Sequence, residues 1–229
     1  MKIPPLVRLA LPAVVFVALV AAPRGWGPSE EAPDPAPVVQ TDAEPLPEVP
    51  LAELYHQLGS PDATVTVVEF SDFGCPYCAL FARETFPALK KEFVDGGGVV
   101  WRMVPFALGI FPNGAEALRA AACVAEQDED TFWRIHDILF RRQEEWKGGR
   151  DVASLFRDYA AEVGADPVLF DECYPSRRAR ERVAASQALA HRMGVRSTPS
   201  FFVNGQLIQG AIPLEDFRRI LRAALAGEG

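Results

Sequence analysis

The sequence predicts an α/β fold interrupted by an all-helical insertion. Residues 64–70 and 99–105 read as buried strands on either side of a helix. Residues from about 113 to 193 show only amphipathic helical spacing, and strand chemistry then returns at 200–209 ahead of a closing helix.

The chain opens with Lys2 and Arg8, followed by an apolar run at 9–22 that only Pro12 breaks, which is the pattern of an export signal. Two fates stay open for residues 1–22. Ala21-Ala22 would suit cleavage, although Pro23 is awkward for it. Retention as a membrane anchor fits the length of residues 3–22, although Pro4, Pro5 and Pro12 weaken such a helix. No Cys lies nearby, which excludes a lipoprotein. Residues 23–50 hold eight prolines and six acids with few large apolar side chains, so they read as an extended, acidic linker. Residues 51–229 are then the globular domain.

Within it, residues 64–70 are β-branched and mostly apolar, a buried strand. A helix follows from Cys75 to about Val94, with Leu80, Phe81, Leu89 and Phe93 on related faces and a kink expected at Pro87. Gly96, Gly97 and Gly98 end it, and 99–105 forms a second strand, so the trio reads as a parallel crossover unit. Helices are expected at 115–127, 131–146, 152–163, 167–174 and 177–193. Residues 200–203 and 206–209 then pair through an Asn204-Gly205 hairpin, and 214–225 closes the chain as a helix.

Composition narrows the chemistry. With 49% hydrophobic residues the chain can bury a core. Setting aside Lys2 and Arg8 leaves 21 basic against 31 acidic residues, a poor balance for neutralising nucleic-acid phosphates. Three histidines and four cysteines leave little for a metal site, scarce histidine argues against a classical hydrolase, and nothing calls for a cofactor.

The chemistry-bearing residues are Cys75 and Cys78, placed where a strand hands over to a helix. Two cysteines three apart can close a small disulfide ring. The first sits among unpaired backbone N–H groups at the positive end of the helix dipole, which favours thiolate and makes it the attacking sulfur. Pro76 suits the first helical turn because it has no N–H to lose. Cys78, one turn further in, is shielded and resolves the mixed disulfide. Half a zinc site and a purely structural disulfide are the competing readings. Zinc lacks a second ligand pair, since Cys123 and Cys173 stand 50 residues apart with no His close to either. Glu69, among Val67, Val68 and Phe70, is either a buried acid that exchanges a proton with Cys78 or a solvent-facing residue on an edge. Thr198-Pro199 leads into the strand at 200–203. A cis bond there would present the Thr198 backbone to an extended partner beside the disulfide, but sequence physics leaves the isomer open.

Three stretches carry a family resemblance: Val67-Val-Glu-Phe-Ser-Asp-Phe-x-Cys-Pro-Tyr-Cys78, Thr131-Phe-Trp-x-x-His-Asp-x-Leu-Phe140 and Gly194-Val-Arg-x-Thr-Pro-Ser-Phe-Phe-Val-Asn-Gly205. Together they resemble the DsbA-like thioredoxin family, in particular its BdbD-type branch, over about residues 55–226. The resemblance implies a thioredoxin fold with an inserted helical subdomain and a cis Pro199. It implies Cys75 as nucleophile, Cys78 as resolving thiol, Thr198-Pro199 as the substrate-binding loop, and Glu69 as the buried acid. His136 is expected to pack rather than react. The Pro76-Tyr77 dipeptide is similar to that of glutaredoxins, so the direction of catalysis stays open.

In an oxidising compartment Cys123 and Cys173 are natural disulfide partners, with two buried free thiols as the alternative. The first functional expectation is an extracytoplasmic, monomeric oxidase acting on reduced exported proteins and reoxidised by a membrane partner resembling DsbB or vitamin K epoxide reductase. The second is a reductase or isomerase kept reduced by a membrane donor, although residues 1–60 hold no recognisable dimerisation module. The third is a thiol-based holdase or Cu(I) module, for which only Met1, Met103 and Met193 offer thioether ligands. The apolar stretch 106–112 is expected to be core contact between the subdomains rather than a substrate groove.

Overall fold

The computed structural model describes residues 53–227. The export segment and the whole of the linker expected upstream lie outside these residues.

A five-stranded sheet in the order β1-β3-β2-β4-β5 forms the frame. Its strands are His56–Leu58 (β1), Val65–Ser71 (β2), Val99–Pro105 (β3), Ser200–Val203 (β4) and Gln206–Gln209 (β5). Central β2 runs parallel to β3, from Val65 opposite Val99 to Ser71 opposite Pro105, and antiparallel to β4, with Glu69 opposite Phe201. Side chains on β2 alternate between two covered faces, which is why four of its seven residues are apolar. Val65 and Val67 pack with Phe81, Trp101, Phe201 and Phe217 on one face. Phe70 packs with Val104, Phe106 and Leu189 on the other. The hairpin turn places Asn204 at φ 47° and Gly205 at φ 88°, the left-handed conformations an Asn-Gly pair tolerates.

The helix after β2 is less regular than expected. Pro76–Leu80 (α1) passes through a π-helical turn at Phe81–Thr85 into Phe86–Leu89 (α2), and a second π-helical turn at Lys90–Val94 ends it. The first turn takes the place of the expected kink. Pro87 can give no hydrogen bond to the carbonyl of Arg83 and its ring crowds that group, and widening the preceding turn relieves both.

The insertion consists of Gly114–Ala125 (α3), Glu129–Arg141 (α4), Gln143–Trp146 (α5), Ala153–Glu162 (α6), Pro167–Cys173 (α7) and Arg177–Arg192 (α8), and Leu214–Ala226 (α9) closes the chain. The single helix expected at 131–146 is broken at Arg142, whose φ of −105° and ψ of 26° leave the helical range. The indole N–H of Trp146 donates to the Leu139 carbonyl at 3.0 Å, the acceptor that the missing turn frees. Strand β1 escaped the sequence reading because three residues carry no periodicity. It pairs antiparallel with β3 and is held by buried His56, which stacks on Phe132 and contacts the Glu129 carboxylate at 2.9 Å.

Cys123 of α3 and Cys173 of α7 are joined by a disulfide, their α-carbons 5.7 Å apart. Stretch 106–112 is divided: Phe106 and Ala107 enter the core, whereas Ile110 is 73% exposed. Among the described residues, no helix is long and apolar enough to cross a membrane. Topology and insertion together are those of a thioredoxin fold carrying a helical subdomain.

The disulfide closes a loop of 50 residues. Replacing both Cys123 and Cys173 by Ala is expected to lower unfolding free energy by about 4 kcal/mol through loop-closure entropy, read by chemical denaturation.

Candidate active site

The carboxyl end of β2 delivers the chain into α1 through Asp72, Phe73 and Gly74. Gly74 sits too close to its surroundings for a side chain, since a β-carbon there would fall 2.6 Å from Phe111 Cβ. Cys75 is the N-cap of α1, in extended conformation, with Pro76 at the first helical position. The Ala79 N–H closes the first turn onto the Cys75 carbonyl at 3.1 Å. Pro76 and Tyr77 are exposed, while Cys75 lies just beneath the surface and Cys78 is fully buried, both as free thiols.

The two sulfurs occupy opposite environments. Cys75 is pushed down to about 6, chiefly because the Cys78 thiol can donate to its thiolate. The Thr198 side chain and the backbone N–H groups of Cys78 and Tyr77 add to this, against the opposing effect of burial. Cys78 is raised well above the ordinary thiol value, first by burial and then by its neighbour Cys75. Facing them is the Thr198–Pro199 loop, whose peptide bond is cis. The Cys75 thiol donates to the Thr198 carbonyl at 3.4 Å. The Thr198 hydroxyl is buried without another partner and so remains available to the thiolate.

Glu69 lies on β2 opposite Met103, which is buried in one cluster with Cys75 and Cys78. It is 2% exposed on a central strand, which sets aside the solvent-facing edge position. The Trp101 indole N–H donates to its Oε2 at 2.9 Å. Burial raises its pKa, opposed by His136, Trp101 and Ser71. His136 is enclosed by Phe73, Phe86, Phe132, Trp133 and Phe140, a packing position.

Such an arrangement can hold one sulfur as thiolate and its neighbour as thiol, with a protonatable carboxyl nearby. A profile of the family described as Thioredoxin matches residues 52–223. The chain belongs to the thioredoxin family. Within that family it stands with the DsbA-like, BdbD-type thiol–disulfide oxidoreductases. Disulfide bond formation protein D of Bacillus subtilis is 29% identical over 174 residues, covering 75% of this chain and 77% of that protein. The crystal structure of oxidised BdbD from Bacillus subtilis superposes with a TM-score of 0.69 at 28% identity, covering 77% of this chain and 96% of that one. A Na(+)/H(+) antiporter, NhaA 3 of Salinispora tropica, is 36% identical over 173 residues that make up 75% of this chain. The match spans only 25% of that antiporter's length.

Sequence reasoning missed two residues that hold this thioredoxin-family site in shape. Buried Asp72 accepts from the Gly74 N–H and the Leu108 N–H, each at 2.8 Å, tying the redox turn to the loop after β3. Burial lifts its pKa to about 6, partly offset by those two N–H groups. Gln143 of α5 reaches across from the insertion, and its amide donates to the carbonyls of Phe73 at 2.5 Å and Cys75 at 3.0 Å. Asp72 stood inside a quoted motif without a role. Gln143 had no local signal at all, because its partners lie about 70 positions upstream.

Thiolate absorbance of the reduced protein should titrate with a midpoint near pH 6. A depressed folded-state thiol pKa stabilises the fold fully above the unfolded value near 9 and ceases to do so as pH falls through about 6. The reduced protein should therefore gain stability relative to the oxidised form between pH 6 and pH 9, measured by parallel denaturant titrations. Gln143→Ala should cost about 1–3 kcal/mol, because the Phe73 carbonyl is left buried without its donor.

Proposed function

We propose that this chain is an extracytoplasmic oxidase that introduces disulfides into exported proteins through Cys75 and Cys78. The observation that carries the reading is the opposed bias of the two sulfurs, Cys75 toward thiolate and Cys78 toward thiol. That bias stabilises the reduced pair and so makes the disulfide a strong oxidant. The name of the Bacillus subtilis relative, disulfide bond formation protein D, supports the same direction. An export segment at residues 1–22, cleaved or retained as an anchor, and a Pro-rich linker at 23–50 support the extracytoplasmic location.

In the forward reaction a substrate thiolate attacks the Cys75 sulfur of the Cys75–Cys78 disulfide. The bond to Cys78 breaks, its sulfur leaves with the electron pair, and Glu69 supplies the proton that the buried thiolate needs. The second substrate thiol then attacks its own sulfur in the mixed disulfide, releasing Cys75 as thiolate. The substrate is oxidised by two electrons and the pair is reduced by two. The cis Thr198–Pro199 loop holds the substrate backbone beside Cys75, and exposed Tyr77 forms part of the docking rim. A membrane thiol oxidant of the DsbB or vitamin K epoxide reductase type restores the disulfide, and the enzyme acts as a monomer without a cofactor.

Equilibration with glutathione buffers tests the direction. A reduction potential nearer about −120 mV than about −270 mV marks an oxidase, and a value near about −270 mV would replace this reading with a reductase. Cys75→Ser should abolish oxidation of a reduced model protein, and activity that survives it would remove the pair from the mechanism. Given a disulfide-bonded model protein, Cys78→Ser should accumulate a mixed disulfide, because Cys75 attacks that disulfide, one substrate thiolate leaves and no second thiol resolves the product; it is visible as a mass adduct that dithiothreitol removes.

A further inference from the structure

Two buried hydroxyls at the site have no hydrogen-bond partner: Thr198 Oγ1 and Ser71 Oγ. The first has an evident use at Cys75. Ser71 is fully buried at the end of β2, in a position where alanine would fill the space without a polar group to satisfy. Its backbone needs no help from the hydroxyl, since its carbonyl already accepts the Phe106 N–H at 2.9 Å. Strand alternation puts Ser71 on the same face as Glu69 and one step closer to the redox turn. Cys78, on α1, is buried in one cluster with Met103, the β3 residue opposite Glu69. A Ser71 hydroxyl turned toward the Glu69 carboxyl or the Cys78 thiol favours the ionised form of that group, against the effect of burial.

We propose that Ser71 is the proton bridge between Glu69 and Cys78. The inference rests on the roles proposed above for those two residues and adds the path between them. A hydroxyl suits the task because it accepts and donates at once. As substrate thiolate bonds to Cys75 and the Cys75–Cys78 bond breaks, the Ser71 proton passes to the Cys78 sulfur while the Glu69 proton passes to Ser71 Oγ. Glu69 is left as carboxylate, with the Trp101 N–H on its Oε2 at 2.9 Å. When Cys78 later attacks a mixed disulfide at Cys75, the same protons run back. The polar and titratable groups around this path are Asp72 on the same chain turn, Cys75 on α1, Trp101 on β3 and His136 on α4.

The test is single-turnover reduction of the oxidised full-length protein by dithiothreitol across pH, for wild type, Ser71→Ala, Ser71→Thr, Glu69→Gln and the Ser71→Ala/Glu69→Gln double variant. Ser71→Ala should slow opening by about 10- to 100-fold and flatten the pH-dependent limb that Glu69→Gln also removes. Ser71→Thr should return the rate toward wild type, and the double variant should be no slower than Glu69→Gln alone. A wild-type rate and pH profile in Ser71→Ala, with Glu69→Gln impaired, would overturn the bridge and leave the acid in place. Losses that multiply in the double variant would overturn it as well, since the two groups would then act separately. An unaltered profile in Glu69→Gln would instead remove the acid's role and the bridge with it.

Discussion

A thiolate held just below a protein surface loses most of its water, so the fold must replace water with donors. That constraint organises the whole upper end of the sheet. Helix α1 begins at Cys75 because its first N–H groups have no partners inside the helix and can turn toward the sulfur. The cis loop brings Thr198 opposite, and the Cys78 thiol supplies a third donor. Satisfying Cys75 in this way leaves Cys78 one turn deeper, where burial outweighs the Ser71 side chain and the Asp72 backbone, and the two sulfurs diverge.

Donors that act on one atom must also be held still. Asp72 fixes the turn from the strand side and Gln143 from the insertion, each through a pair of backbone contacts. Neither side chain touches a sulfur in a hydrogen bond. Their effect is to keep the N–H groups of α1 and the carbonyls of the turn in one arrangement, so that little reorganisation accompanies a change of charge on Cys75.

What was legible in the sequence was whatever depends on neighbours along the chain. Strands β3, β4 and β5 have the expected limits, because alternation, β-branching and the Asn204-Gly205 turn are local signals. The position of Cys75 at a helix start was legible for the same reason. The break at Arg142 was not, since α4 and α5 share one apolar period and only the distant demand for Gln143 separates them. Strand β1 was too short to carry a pattern and exists through its pairing with β3. Glu69 was ambiguous in sequence because a lone acid in an apolar run suits either an edge or a core, and only the strand order decides.

Cys75 and Cys78 pack not with the sheet's own apolar clusters but with the insertion, in a group that also holds Phe73, Ala79, Met103 and helices from α3 to α8. The insertion is therefore modular in topology and inseparable in energetics. A chain trimmed of it to leave a minimal sheet-and-helix core would bare Phe73, Ala79 and Met103 to water together and remove the amide that clamps the turn. Such a miniature would have the redox motif and lose the dry wall that keeps its two sulfurs unlike, and its new apolar face would drive self-association. For engineering purposes the smallest unit that retains this chemistry is the sheet together with its helical insertion.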